Sequence, residues 1–97
     1  MTTSSSSFNI EAAARLVTEM SENLEALPKD NERYAELRAE VNQLKAMLEE
    51  AQSPSGAVED KMRSVHTLVD GATLELQADG MRAGILLREM GRILGLN

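Results

Sequence analysis

Apolar residues recur along this chain at alternating steps of three and four, and that spacing constrains the fold more than any other feature. Ile10, Ala13, Val17, Met20, Leu24 and Leu27 form a first stripe, and Tyr34, Leu37, Val41, Leu44, Leu48 and Ala51 a second. Val58, Met62, Val65, Val69, Ala72 and Leu76 form a third, whose register runs on through Asp79 to Ala83, Leu86, Met90 and Ile93. At about 100° per residue, each set falls on one side of a helix. Glu11, Arg15, Glu19 and Glu22 fall opposite the first stripe, and Glu11 before Arg15 is the favourable order for an i,i+4 ion pair. With one Phe, one Tyr and no Trp, the core must be aliphatic and methionine-filled. The 97 residues suffice for one small domain, which buries roughly 60–70% of its unfolded surface.

Breaks in the pattern divide the chain. Asn9 suits a helix N-cap, with Phe8 before it as a hydrophobic staple towards Ala13. Pro28-Lys29-Asp30-Asn31 resets the phase between the first two stripes, and Asp30 or Asn31 can cap the second helix. Ser53-Pro54-Ser55-Gly56 is the clearest boundary, and Asp79-Gly80 a further joint. These signals predict an all-α chain in which antiparallel helical hairpins form a small helical bundle, with helices near 9–27, 31–52, 57–78 and 80–95. In this division residues 1–8 are a disordered Ser/Thr-rich tail and 9–97 a single domain, with a hairpin over 9–52, a linker at 53–56 and a helical segment over 57–96. The unbroken register across 57–95 also suits one long helix. A competing pattern surrounds Asp70-Gly71, where flanking runs rich in Val and Thr read as a β-hairpin and would make the fold α+β. The helical stripe accounts for six apolar positions over 58–76, and the hairpin for fewer.

Composition removes most functional classes. Without Cys there is no disulfide framework, thiolate metal site or cysteine nucleophile. The single His66 has Arg63 rather than Glu three residues before it, so the Glu-x-x-His element of a carboxylate di-metal bundle is missing. Asp70 at i+4 could orient that imidazole, but no nucleophile stands at triad spacing. Asp70-Gly71 lacks the alternating ligands of a calcium loop. No metal, cofactor or enzymatic activity is expected. A net charge of -6 argues against nucleic acid, which calls for a basic stripe, and two aromatics provide no platform for stacking bases. No secretory signal or apolar run of membrane-spanning length is visible, so a cytoplasmic protein of bacterial type is expected.

The last segment departs from the rest. Residues 1–56 hold ten acids against five bases, whereas residues 80–97 hold Glu89 against Arg82, Arg88 and Arg92. Gly80, Gly84, Gly91 and Gly95 project within about 60° of one another on a helix, and glycine costs a helix about 1 kcal/mol relative to alanine. Either a neighbouring helix approaches closely along this edge, or Gly80 and Gly95 simply mark helix ends. The segment is apolar over a wide arc, with Ile85 and Leu96 outside its main stripe. This predicts a non-enzymatic protein that acts through protein–protein contact and self-associates as a dimer, using Met81, Gly84, Ile85, Leu87, Gly91, Leu94 and Gly95. Two alternatives are an acidic mimic that occupies a basic site on another protein and a peripheral membrane protein that uses residues 81–96.

Overall fold

The computed structural model describes residues 8–50 and 54–96, which form five helices and no strand. These are α1 (Ile10–Glu25), α2 (Glu32–Glu49), α3 (Ser55–Gly71), α4 (Thr73–Ala78) and α5 (Ala83–Leu94). α1 packs on α2, α2 on α3, α3 on α5, and α5 back on α1, so the four longer helices close a ring. α4 lies against α3 and α5 at one end of it. The short connection from α1 to α2 makes that pair antiparallel. α5 also runs opposite to α1: one end of the groove between them is lined by Ala12 and Ile93, the other by Asn23 and Met81.

The stripes become the core. Ala13, Val17, Met20, Leu24 and Leu27 are buried from the first, and Tyr34, Leu37, Val41 and Leu44 from the second, with Leu48 half-buried. All six members of the third are buried, as are Ala83, Leu86 and Met90. Ile93 is half-buried, with Leu94 taking its place in the interior. Among the described residues, no charged side chain is buried, and Tyr34 carries the one hydroxyl in the buried set. The driving force is therefore the transfer of aliphatic surface out of water, about 1.5–3 kcal/mol for each large side chain.

Local chemistry sets the helix starts. Asn9 Oδ1 accepts the Ala12 N–H at 3.0 Å, and Phe8 packs against the core. Asn31, rather than Asp30, caps α2, accepting the N–H groups of Arg33 (2.9 Å) and Tyr34 (3.3 Å). α3 begins at Ser55, so Ser55 and Gly56 are helical rather than linker, and Pro54 is the N-cap. Proline's preset φ suits the edge of a helix, where the missing N–H costs no hydrogen bond. Of the expected tail over 1–8, Phe8 instead packs against the core, and 1–7, like Ser53 of the linker and the expected helix end at 52, lie outside the described residues; α2 itself ends at Glu49.

Two expectations for residues 57–78 need correction. The segment is not a β-hairpin: residues 65–76 are helical, because Val65, Val69, Ala72 and Leu76 all reach the core at helical spacing while Thr67, which alternation would bury, is exposed. Nor is it one helix, since it breaks at Ala72 (φ −113°, ψ 15°) into α3 and α4. Thr73 Oγ1 donates to the carbonyls of Val69 (3.0 Å) and Asp70 (2.9 Å), and Arg33 Nη1 donates to the Gly71 carbonyl at 3.0 Å. The carbonyls at the break are thus satisfied from the side. The joint expected at Asp79-Gly80 is present: Gly80 has φ 91°, the Met81 N–H bonds to the Leu76 carbonyl (2.9 Å), and the Gly80 N–H bonds to that of Gln77 (3.1 Å). That pair of bonds is a Schellman motif.

Polar contacts at the rim fasten the helices together. Arg38 of α2 donates through Nη2 to the carbonyls of Leu24 (2.8 Å), Leu27 (2.8 Å) and Pro28 (3.2 Å), and through Nε to Leu24 (3.0 Å). α1 has no basic residue in its own last turn, so Arg38 supplies both donors and positive charge from the neighbouring helix. Tyr34 Oη donates to Asp79 at 2.6 Å, and Arg33 pairs with Glu75 at 3.0 Å, tying α2 to the α4 end. Midway along the α2–α3 seam, Ser64 Oγ donates to Glu40 at 2.6 Å, and Lys61 Nζ reaches Glu40 (3.3 Å) and Gln43 (2.8 Å). The Ser64 hydrogen bond, helped by Lys61 and opposed by burial, holds the Glu40 carboxyl below its ordinary range.

Burial, then the hydrogen bond and charge of Asp79, push the Tyr34 phenol up to about 12. Because the folded value lies above the unfolded one, this contribution to stability is complete below pH ~10 and is lost as the pH rises towards 12, at about 1.4 kcal/mol per pH unit. The chain has one Tyr and no Trp, so ultraviolet titration reads this group alone. A phenolate midpoint near 12 in the folded protein is expected, and Tyr34→Phe should abolish the alkaline slope; a midpoint near 10 in folded protein contradicts the contact. Arg38→Met, which keeps the stem and removes the donors, should cost about 2 kcal/mol in chemical denaturation. Arg38→Lys should recover little of that, because an ammonium lacks the guanidinium fork.

Candidate interaction surface

The seven residues singled out in the sequence divide between the core and the surface. Met81, Gly91 and Leu94 are buried, and Leu87 is half-buried against the core. Gly84, Ile85 and Gly95 are exposed. The first four are therefore largely engaged within the chain, and the glycines separate by role. Gly95 has φ 74° and closes α5 with a second Schellman pair, Leu96 N–H to Gly91 carbonyl (2.8 Å) and Gly95 N–H to Arg92 carbonyl (3.2 Å). Gly84 lies inside the helix, and a methyl group built on it would meet nothing nearer than Gln77 Nε2 at 3.8 Å.

Among the described residues, the large apolar side chains left exposed are Ile10, Leu74, Ile85 and Leu96. Leu74 stands alone on α4, and a single exposed leucine is ordinary. The other three belong to α1 and to α5 with its C-terminal residues. On α5, Ile85 sits in an outward register that the sequence contained but the core stripe obscured. Ile85, Arg88 and Arg92 are spaced three and four apart, all are exposed, and the buried positions of α5 lie opposite them, while Leu96 follows the helix beyond the left-handed Gly95. Arg88 and Arg92 are thus the surface residues missed by attention to glycine; the outward helical register is the signal that locates them.

Beside this stripe runs the groove between α1 and α5. Ala12, Arg15, Leu16 and Glu19 line it from α1, and Ile85, Leu86, Glu89, Arg92 and Ile93 from α5. It continues past Asn23 towards Met81 and Arg82. Its floor is apolar and its rim carries both signs of charge, the arrangement of a contact surface with an apolar centre and a polar margin. A different depression, of about 590 Å³, is lined by Asn31, Glu32, Arg33, Glu36 and Glu75. It is polar throughout, and Arg33 is already engaged by Glu75 and the Gly71 carbonyl.

His66 is half-buried on α3 and makes no hydrogen bond or ion pair among the described residues, so Asp70 does not orient it. Glu40 and Ser64 form the shortest side-chain pair between α2 and α3, but a carboxyl held below its ordinary range is a weak base for a serine hydroxyl. Among the described residues no three His, Asp or Glu side chains converge as a metal site, and no helix is long and apolar enough to cross a membrane. No protein-family model, curated protein or solved structure matches the chain.

The two exposed glycines of α5 should respond in opposite directions. Gly84→Ala is expected to raise stability by about 0.5–1 kcal/mol, since it restores helix propensity into open space. Gly95→Ala should lower it by about 1 kcal/mol, because a Cβ is strained in the left-handed conformation. Denaturation midpoints of the two variants check the pair, and equal shifts of the same sign would contradict these assignments.

Proposed function

We propose that this chain is a non-enzymatic interaction protein that pairs with a second copy of itself through the layer formed by α1 and α5. The observation that carries this reading is that three of the four exposed large apolar side chains among the described residues, Ile10, Ile85 and Leu96, belong to α1 or to α5 and the residues just after it. A half-exposed isoleucine on a helix face, next to an apolar groove floor, gains by losing contact with water. A like net charge on both copies opposes association over most of the surface and so narrows where a second copy can dock. With -6 on each copy, two chains approach most readily through the part of the surface where arginines outnumber acids, and that is α5.

Light-scattering mass after size exclusion tests the proposal over a range of concentration. A mass near twice the 10.6 kDa chain is expected, and Ile85→Glu should return it to the chain mass with helicity unchanged by circular dichroism. A wild-type protein that stays at the chain mass throughout would overturn the reading. Co-sedimentation with anionic vesicles would replace it with a membrane-surface role for the same stripe.

A further inference from the structure

The two helices of the exposed layer carry opposite charge. α1 has Glu11, Glu19, Glu22 and Glu25 against Arg15, while α5 and the residue before it have Arg82, Arg88 and Arg92 against Glu89. Glu11, Glu19, Glu22, Arg82 and Arg88 are exposed and make no ion pair among the described residues. Arg92 has only a 3.8 Å contact with Glu89 in its own helix. Within one chain α1 and α5 lie side by side, so their outward charges point to solvent rather than to one another.

We infer that two copies dock with these layers face to face about a two-fold axis that runs along the α1–α5 groove, so that the basic α5 of each lies over the acidic α1 of the other. This rests on the self-association proposed above and specifies its geometry. A two-fold axis along the groove exchanges its two sides without reversing it end for end. An axis across the groove would instead stack α1 on α1 and α5 on α5, placing acid against acid and base against base, which is strongly unfavourable at an interface. Charge therefore selects the first arrangement.

The register follows from the groove. Glu19 and Ile85 share one level, because both line the groove along both of its segments; Arg92 is level with Ala12, and Arg82 with Asn23. Docked about the groove axis, Arg92 comes over the α1 turn of the partner's Glu11 and Arg82 over that of the partner's Glu22, while Arg88, three residues beyond the Ile85 level, falls between the partner's Arg15 and the partner's Glu19. The two Ile85 side chains meet at one level beside the axis. The contact is isologous, as closed homodimers require.

A charge exchange in the full-length protein tests this. One variant carries Arg82→Glu, Arg88→Glu and Arg92→Glu; the other carries Glu11→Lys, Glu19→Lys and Glu22→Lys. Each alone would face its own copy with like charge, so each is expected to run at the chain mass, with self-association weakened on the order of a hundred-fold. Their equimolar mixture should return to twice the chain mass, because the three exchanged positions of each helix again face a helix of opposite net charge. All six positions are exposed, and circular dichroism checks that the helices persist. Should either triple variant lose helicity, the neutral set Arg82→Gln, Arg88→Gln and Arg92→Gln serves instead: it should weaken the dimer and flatten its salt dependence. A wild-type dimer whose variants stay dimeric alone, or whose mixture stays monomeric, would overturn the α5-on-α1 arrangement while leaving self-association standing. A monomeric wild type would remove both.

Discussion

A helix that ends inside a bundle must dispose of its last carbonyl groups, and the way α1 does so organises the rest of this molecule. Its final turn contains no cation, so the guanidinium of Arg38 reaches across from α2 to the carbonyls of Leu24, Leu27 and Pro28. That contact fixes the point where α1 stops and the level at which α2 lies beside it. The level in turn sets Tyr34 opposite Asp79 and Arg33 opposite Gly71 and Glu75. An interior that is aliphatic apart from Tyr34 cannot by itself specify such levels, because aliphatic packing is tolerant of sliding. Here directional contacts at the rim supply the register.

The fold class was legible because each stripe contains enough apolar members for the 3.6-residue period to dominate local preference. Valine and threonine around Asp70-Gly71 favour a strand locally, yet helical burial of Val65, Val69, Ala72 and Leu76 outweighs that propensity. The break at Ala72 was not legible. Ala72 keeps its place in the apolar register while leaving helical geometry, and the group that satisfies the freed Gly71 carbonyl is Arg33, 38 residues away in sequence. The same limit hid Arg38, Tyr34–Asp79 and Glu40–Ser64. A side chain that bonds to a distant backbone or hydroxyl group leaves no periodic trace.

The candidate surface was legible in part for a related reason. The last helix stood out in the sequence for its charge and its excess of apolar residues, and Ile85 and Leu96 fell outside its main stripe. Glycine drew attention to one edge of it, but Gly80 and Gly95 are spent on left-handed helix ends, and Gly91 is buried. What faces water is set by where α1 and α3 press on α5, and the packed arrangement puts Ile85, Arg88 and Arg92 on its outer line. The opposite charges of α1 and α5 acquire meaning only when the ring places the first and last helices side by side.

That ring has a consequence for how the molecule assembles in time. Its α1–α2, α2–α3 and α3–α5 seams join neighbours along the chain, apart from the short α4, and each can form by closing a short loop. The α1–α5 seam alone joins the two ends of the domain, and it has no interhelical ion pair among the described residues comparable to Lys61–Glu40. Mostly local topology favours rapid folding, with the end-to-end seam the last to form. For the same reason it is the first to part in a partial opening, when α5 swings away from α1 while the rest of the bundle holds.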